Sequence, residues 1–286
     1  MKRILILVSL CLSAYGCSNT ASIEITDGVF SEGQECFRIE TPSATYLYQK
    51  EAGGFSKIID ENNTDWVNFH ESGDINNPRS SESDFRGLPN MVYGGEDGGV
   101  GHPGFKKMTS RITAPNKIQS TSNSGKWQWT WTFYQEYAEL TLEQVDSTRE
   151  YFFLYEGPIA GRFSPGTHYW GTNISGPLYL QPDLIKGPEH YAHWQTVYFG
   201  DTEYEQVFFV HQIEPDTLDD LYTYMGNSSQ GNASADGMVV FGFGRAPEGT
   251  PLLTGLQKFR IGFYNGKIKG QSDHQDILAY INRLSP

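Results

Sequence analysis

Apolar and polar side chains alternate almost without a break along residues 126–137, K-W-Q-W-T-W-T-F-Y-Q-E-Y. A period of two puts Trp127, Trp129, Trp131 and Phe133 on one face and Gln128, Thr130 and Thr132 on the other, the mark of a strand. The aromatic face reads as core rather than as a ligand platform. The same alternation runs through 37–40 and 45–49, two short strands around a Thr-Pro-Ser turn, and through 138–145. Residues 55–60 read as a strand, Glu61, Asn62 and Asn63 as a hairpin turn, and D-W-V-N-F at 65–69 as the next strand. Asn62 and Asn63 tolerate the left-handed conformation such a turn needs. Residues 109–113 and 117–122 are also strand-like. The apolar run at 151–161 reads as a buried strand ending in a Gly-Pro turn, and 197–201, 206–212, 238–245 and 258–264 read as further strands. Residues 218–224 read as a helical turn or two. Ile277, Tyr280, Ile281 and Leu284 recur at helical spacing, predicting a helix over 273–284 that Asp273 caps. The sum is an all-β protein, a two-sheet β-sandwich of jelly-roll or supersandwich type with long loops and one C-terminal helix.

Two stretches break the strand pattern. Residues 84–107, D-F-R-G-L-P-N-M-V-Y-G-G-E-D-G-G-V-G-H-P-G-F-K-K, are rich in glycine and carry two prolines. Glycine and proline together resist helix and central strand. Phe85, Leu88, Met91, Val92, Tyr93 and Phe105 would anchor this loop. Long ordered loops carry function disproportionately, so it reads as a wall of a cleft, with Arg86, Asn90, Tyr93, His102 and Lys106 as its chemistry. Residues 162–194 form a second polar-aromatic loop region, containing His168, Tyr169, Trp170, Glu189, His190, Tyr191, His193 and Trp194.

The N-terminus changes the setting. Lys2 and Arg3 precede a short apolar run at 4–12 and then S-A-Y-G-C, a secretory-signal pattern too short to span a bilayer. The cysteine at its end resembles a bacterial lipobox, with Tyr15 unusual there. The expected organisation is a lipoprotein signal peptide at 1–16, a tether at 17–30 starting from a lipidated Cys17, and a single β-sandwich catalytic domain at 31–286. Cys36 is then the lone thiol of the domain, which relies on its core rather than on an intrachain disulfide.

The net charge is −13, from 34 acidic and 21 basic residues, and disfavours nucleic acid as a partner. It also makes the basic residues of 84–107 stand out as an anion-binding spot. Aromatics make up 14% of the chain, including six Trp, and aromatic faces suit sugar rings as well as cores.

Four chemistries compete. His190 and His193 lie at H-x-x-H spacing, which is not that of a zincin helix, so no cofactor is indicated, though a bound metal remains compatible. Glycoside hydrolysis needs two carboxylates, with Glu96, Asp97, Glu156 and Glu189 as candidates. Elimination beside a uronate carboxylate needs a base, an acid for the leaving oxygen, and cations or amides for the carboxylate. The two loop regions supply those residue types. Nucleophilic catalysis lacks a G-x-S-x-G elbow or a phosphate loop.

R-G-L-P-N-M-V-Y…H-P-G-F-K at 86–106, Y-F-F-L-Y-E-G-P-I-A-G at 151–161, and V-F-G-F-G-R with K-F-R-I-G-F further on resemble secreted marine bacterial proteins of polysaccharide degradation. The group is that of oligosaccharide dehydratases of ulvan breakdown. The likeness spans most of the mature chain. It implies an acidic oligosaccharide as substrate and carbon–oxygen lyase chemistry, but carries over no catalytic residue. On residue type, the candidate catalytic groups are His102, Tyr169, His168 and Tyr93. The candidate substrate-binding groups are Arg86, Asn90, Lys106, Trp170, His193 and Trp194. The expected location is the cell envelope, with the membrane reached through a lipid anchor only. A non-catalytic glycan-binding lipoprotein and a glycoside hydrolase are the alternatives.

Overall fold

The structure is a computed structural model, and it describes residues 22–67, 69, 87–91, 102–103, 107–181, 190–225 and 238–284. The expected signal segment, Cys17, Arg86, Tyr93, Glu96, Asp97, Lys106 and Glu189 lie outside the described residues. The protein is an all-β sandwich. One layer has eight antiparallel strands in the order β10 (His168–Thr172), β12 (Thr196–Asp201), β13 (Gln206–Gln212), β16 (Lys258–Asn265), β8 (Tyr137–Gln144), β7 (Gln128–Phe133), β6 (Lys117–Ser122) and β5 (Met108–Ala114). Two four-stranded sheets face it. The first runs β1 (Glu24–Ser31), β2 (Gln34–Glu40), β3 (Ala44–Gln49), β4 (Gly54–Asp60). The second runs β11 (His190–Ala192), β14 (Asp220–Met225), β15 (Met238–Phe243), β9 (Phe153–Gly157).

Residues 87–91 sew these two sheets together. The Phe55 and Leu88 N–H groups each donate to the other's carbonyl, at 2.7 and 3.0 Å, which joins the segment to β4. Asn90 and Leu154 exchange the same pair at 3.2 and 2.8 Å, which joins it to β9. The second layer is therefore continuous from β1 to β11. Without this segment the edges of β4 and β9 would present unpaired backbone groups, which are costly to bury.

The alternation read from the sequence explains the core. Trp129, Trp131 and Phe133 point between the layers, where the Trp131 and Phe133 rings meet Phe55 at 4.7 and 6.1 Å. Phe153 stacks on Phe259 at 4.3 Å, and Tyr155 meets Phe208 at 4.8 Å. The outer face of the eight-stranded layer is also buried, under α1 (Gln271–Arg283), with Tyr169, Tyr198, Phe209 and Ile277 in that second cluster. Between β10 and β12 each tyrosine lies over the other strand's glycine. Tyr169 is paired with Gly200 and Gly171 with Tyr198, and a Cβ on Gly200 would sit 2.3 Å from the Tyr169 ring.

Four local expectations are corrected. Most of 218–224 lies in strand β14 (Asp220–Met225) rather than in helical turns, because β11 and β15 pair with both of its edges. The 162–194 region is not all loop, since β10 and β11 lie in it. Asp65 makes a single bridge to Ile59, so 65–67 is not a strand; its carboxylate instead accepts from the Ile58 and Val67 N–H groups. Helix α1 starts at Gln271 with Gly270 as its cap, and Asp273 reaches back to accept from the Lys269 N–H at 2.8 Å.

Candidate functional site

Antiparallel partners share a face of a sheet, so the register fixes what lies on the outer face of the second layer. Tyr155, Phe241 and Tyr222 point inward to the core. The next residues therefore point outward. One row across the strands is Thr223, Val240 and Glu156, and its neighbour is Tyr191, Leu221, Gly242 and Leu154, ending at Asn90. Leu154, Val240, Met238 and Phe152 form a small apolar floor. Glu156 is set into that floor at 7% exposure, and Asn90 is fully buried. A buried carboxylate needs a hydrogen-bond donor, and Asn90 Nδ2 donates to Glu156 Oε2 at 3.1 Å. This carboxylate–amide pair unites the 84–107 segment with the 151–161 run. Arg245 lies on the same face: its stem covers Gly242, and its guanidinium stands 5.6 Å from the Phe152 ring.

The other sequence-picked residues among those described are not brought to this pair. His102 is fully buried, its Nε2 donating to the Ala52 carbonyl at 2.8 Å and its ring 5.3 Å from Trp129. Burial holds its ring down to about 3, so it stays neutral. His168 is buried on β10, its Nε2 accepting from the Ser164 N–H at 3.3 Å, with Asp201 Oδ2 3.6 Å away. Burial pushes it down to about 4, against the pull of the Asp201 carboxylate. Asp201 itself is occupied by Arg162, Thr167 and the Glu203 N–H. Four strands separate β10 from β7, against which His102 packs, so the two histidines stand roughly 24 Å apart at ~4.8 Å per strand.

Tyr169 points to the opposite face from His168, beneath α1, where its hydroxyl accepts from the Ile268 N–H at 2.9 Å. Burial raises its pKa well above the usual phenol range. Trp170 is 1% exposed and stacks on Tyr222 at 4.0 Å, and Trp194 packs edge-on against it at 5.6 Å. Both are core, not platforms. His193 is exposed, and its Nδ1 donates to the Leu218 carbonyl at 2.8 Å. Among the described residues no group of three or more His, Cys, Asp or Glu is arranged to hold a metal.

Of the binding candidates, Asn90 reaches the site. In the sequence Glu156 is one of several candidate acids, and nothing there marks Thr223 or Arg245 for a role. Glu156 could have been found as an acid inside a continuous apolar run, where a charge must serve a purpose or find a partner.

No family model matches the chain, and no curated protein matches it. Solved structures do share the fold. HI1317 is similar at 9% identity over 86% of this chain and 97% of its own, with a TM-score of 0.54. YeaD from Salmonella typhimurium, provisionally described as a mutarotase, is similar at 9% identity over 85% of this chain and 97% of its own, with a TM-score of 0.50. A galactose mutarotase-like protein from Lactobacillus casei gives 10% identity over 79% of this chain and 99% of its own, with a TM-score of 0.49. At such identities the likeness is one of fold.

Proposed function

We propose that this protein is a carbohydrate-active enzyme, a carbon–oxygen lyase that eliminates water or a glycosyl group from uronate-containing oligosaccharides such as those of ulvan. The observation that carries the reading is the buried Asn90–Glu156 pair at 3.1 Å, joining two of the segments on which the family resemblance rests. A fold shared with a provisionally described mutarotase supports a sugar substrate. In the proposed step Glu156 takes the proton on the carbon next to the uronate carboxylate. That C–H electron pair becomes the new carbon–carbon double bond, and the bond to the β-oxygen breaks. Glu156 can return the same proton to the departing oxygen, so one carboxyl serves as base and then acid. Asn90 fixes the carboxylate's orientation. Arg86 and Lys106, close in sequence to Asn90 and basic in an acidic chain, are proposed to hold the substrate carboxylate. Cys17 is proposed as the lipid anchor at the cell envelope.

The test is mass spectrometry of oligosaccharides from several acidic algal polysaccharides after incubation with the purified protein. Loss of one water mass, or an unsaturated uronate end, is expected. Release of saturated reducing ends would replace this reading with hydrolysis. The enclosure of His102, His168 and Tyr169 favours a second reading, a non-catalytic glycan binder, which predicts saturable binding and no product.

A further inference from the structure

We infer that the protein carries a second carbohydrate site, for neutral sugar residues, in a cup at one end of the sandwich. The cup holds about 480 Å³ and lies where the end of β4, the β7–β8 turn, the start of β13, the end of β16 and α1 converge. It shares no residue with the Asn90–Glu156 site. Its chemistry is built rather than incidental. Glu61 Oε1 accepts from Gln206 Nε2 at 2.6 Å and from Asn265 Nδ2 at 2.9 Å, while Glu61 Oε2 has no partner among the described residues. Gln206 is 3% exposed, so its amide is held in place. Glu61 uses one N–H of each amide, so the cup keeps acceptors in the second Glu61 oxygen, the Gln206 and Asn265 carbonyls and Glu136, beside donors from Ser43, Tyr264 and Arg283. Such a set takes hydrogen bonds from the hydroxyls of a sugar ring.

One wall is aromatic. Tyr264 is half-buried and packs against Tyr280 at 5.4 Å, and Tyr280 is fixed in turn by donating its hydroxyl to the Phe263 carbonyl at 3.2 Å. A rigid aromatic beside aligned acceptors suits a pyranose, whose C–H face is apolar and whose rim is hydroxylated. Charge decides which sugar. Two carboxylates, Glu61 and Glu136, and one guanidinium, Arg283, line the cup, with Arg283 Cζ 4.8 Å from the centre of the Tyr280 ring. That balance repels a uronate and admits a neutral residue. The cup would therefore hold the neutral sugars of a mixed glycan and keep the chain on it. This inference does not depend on which reaction the Glu156 site performs.

The experiment is calorimetric titration of the purified chain with neutral xylose, glucose, galactose and rhamnose oligosaccharides and with a uronate oligosaccharide. Saturable binding of at least one neutral oligosaccharide is expected, weakened about tenfold or more by Tyr264→Ala and by Glu136→Gln. Glu136 is exposed in a turn, so that variant keeps the test valid if Tyr264→Ala fails to fold. Turnover dependent on Glu156 should be unchanged in Glu136→Gln. Absence of saturable binding to every neutral oligosaccharide, or binding indifferent to Glu136→Gln and to any folded Tyr264→Ala, would overturn the site. Equally tight uronate binding that needs Glu136 would overturn the charge argument.

Discussion

Glu156 and His102 are both buried polar residues, yet their surroundings prepare them for different work. Glu156 accepts a hydrogen bond from the Asn90 side-chain amide and is set in an apolar floor. His102 is held by a backbone carbonyl, with Trp129 against its ring. A histidine whose pKa burial lowers to about 3 in the folded state takes up a proton on unfolding between that value and its ordinary value of about 6.5. Its contribution to stability is therefore complete above about 6.5 and is lost progressively as the pH falls toward about 3. Thermal melts of wild type and His102→Gln at a series of pH values should show the wild type losing stability more steeply over that window. Equal slopes would mean that the ring is not held neutral by burial. The paired Tyr–Gly contacts make a second prediction. Gly200→Ala forces a methyl into the Tyr169 ring at 2.3 Å and should lower stability by about 1–3 kcal/mol, read as a lower denaturant midpoint. A midpoint like the wild type's would show that the ring moves aside freely.

Among the elements, the segment 87–91 does the most to organise the second layer. Its four backbone hydrogen bonds join β4 to β9, so it should open with those strands as one unit. Hydrogen exchange should find the amides of Phe55, Leu88, Asn90 and Leu154 protected to a similar degree. Fast exchange at Leu88 and Asn90 with slow exchange at Phe55 would refute the seam, because Phe55 donates to Leu88. Leu88→Ala should cost about 2–5 kcal/mol, since its side chain is fully buried in the main core. The seam was not legible in the sequence. Glycine and Pro89 marked 84–107 as a loop, and nothing local reveals that two distant strands leave open edges for a few of its residues to pair with. Strands with strict alternation, such as the Trp129–Trp131–Phe133 run, were legible because side-chain period alone sets their face. The strands β10 and β11 were hidden by their histidines and flanking polar residues. Strand β14 was hidden because L-Y-T-Y-M is as compatible with a helical turn until its neighbours are known. The helix was legible from its apolar spacing, but its cap was not, because Asp273 bonds backward from inside the first turn.

For the whole molecule, the sandwich separates three regions. The main core lies between the layers and a second cluster lies under α1, while the Asn90–Glu156 row sits on the far face of the other layer. As candidate catalytic groups, His102 and His168 would have to meet in one hollow. The eight-stranded layer holds them several strands apart, and proximity of that kind depends on strand order, which periodicity does not encode. The structure instead brings Asn90 of the 84–107 segment to Glu156 of the 151–161 run, so an amide and an acid are the groups that meet. The most direct test is the rate at which unsaturated product forms from a uronate oligosaccharide, followed by ultraviolet absorbance, for wild type, Glu156→Gln and His102→Gln. The account predicts that Glu156→Gln loses about 100-fold or more in kcat without a lower melting temperature, while His102→Gln stays within about threefold of wild type. Full activity in Glu156→Gln, with loss confined to a folded His102→Gln, would contradict it.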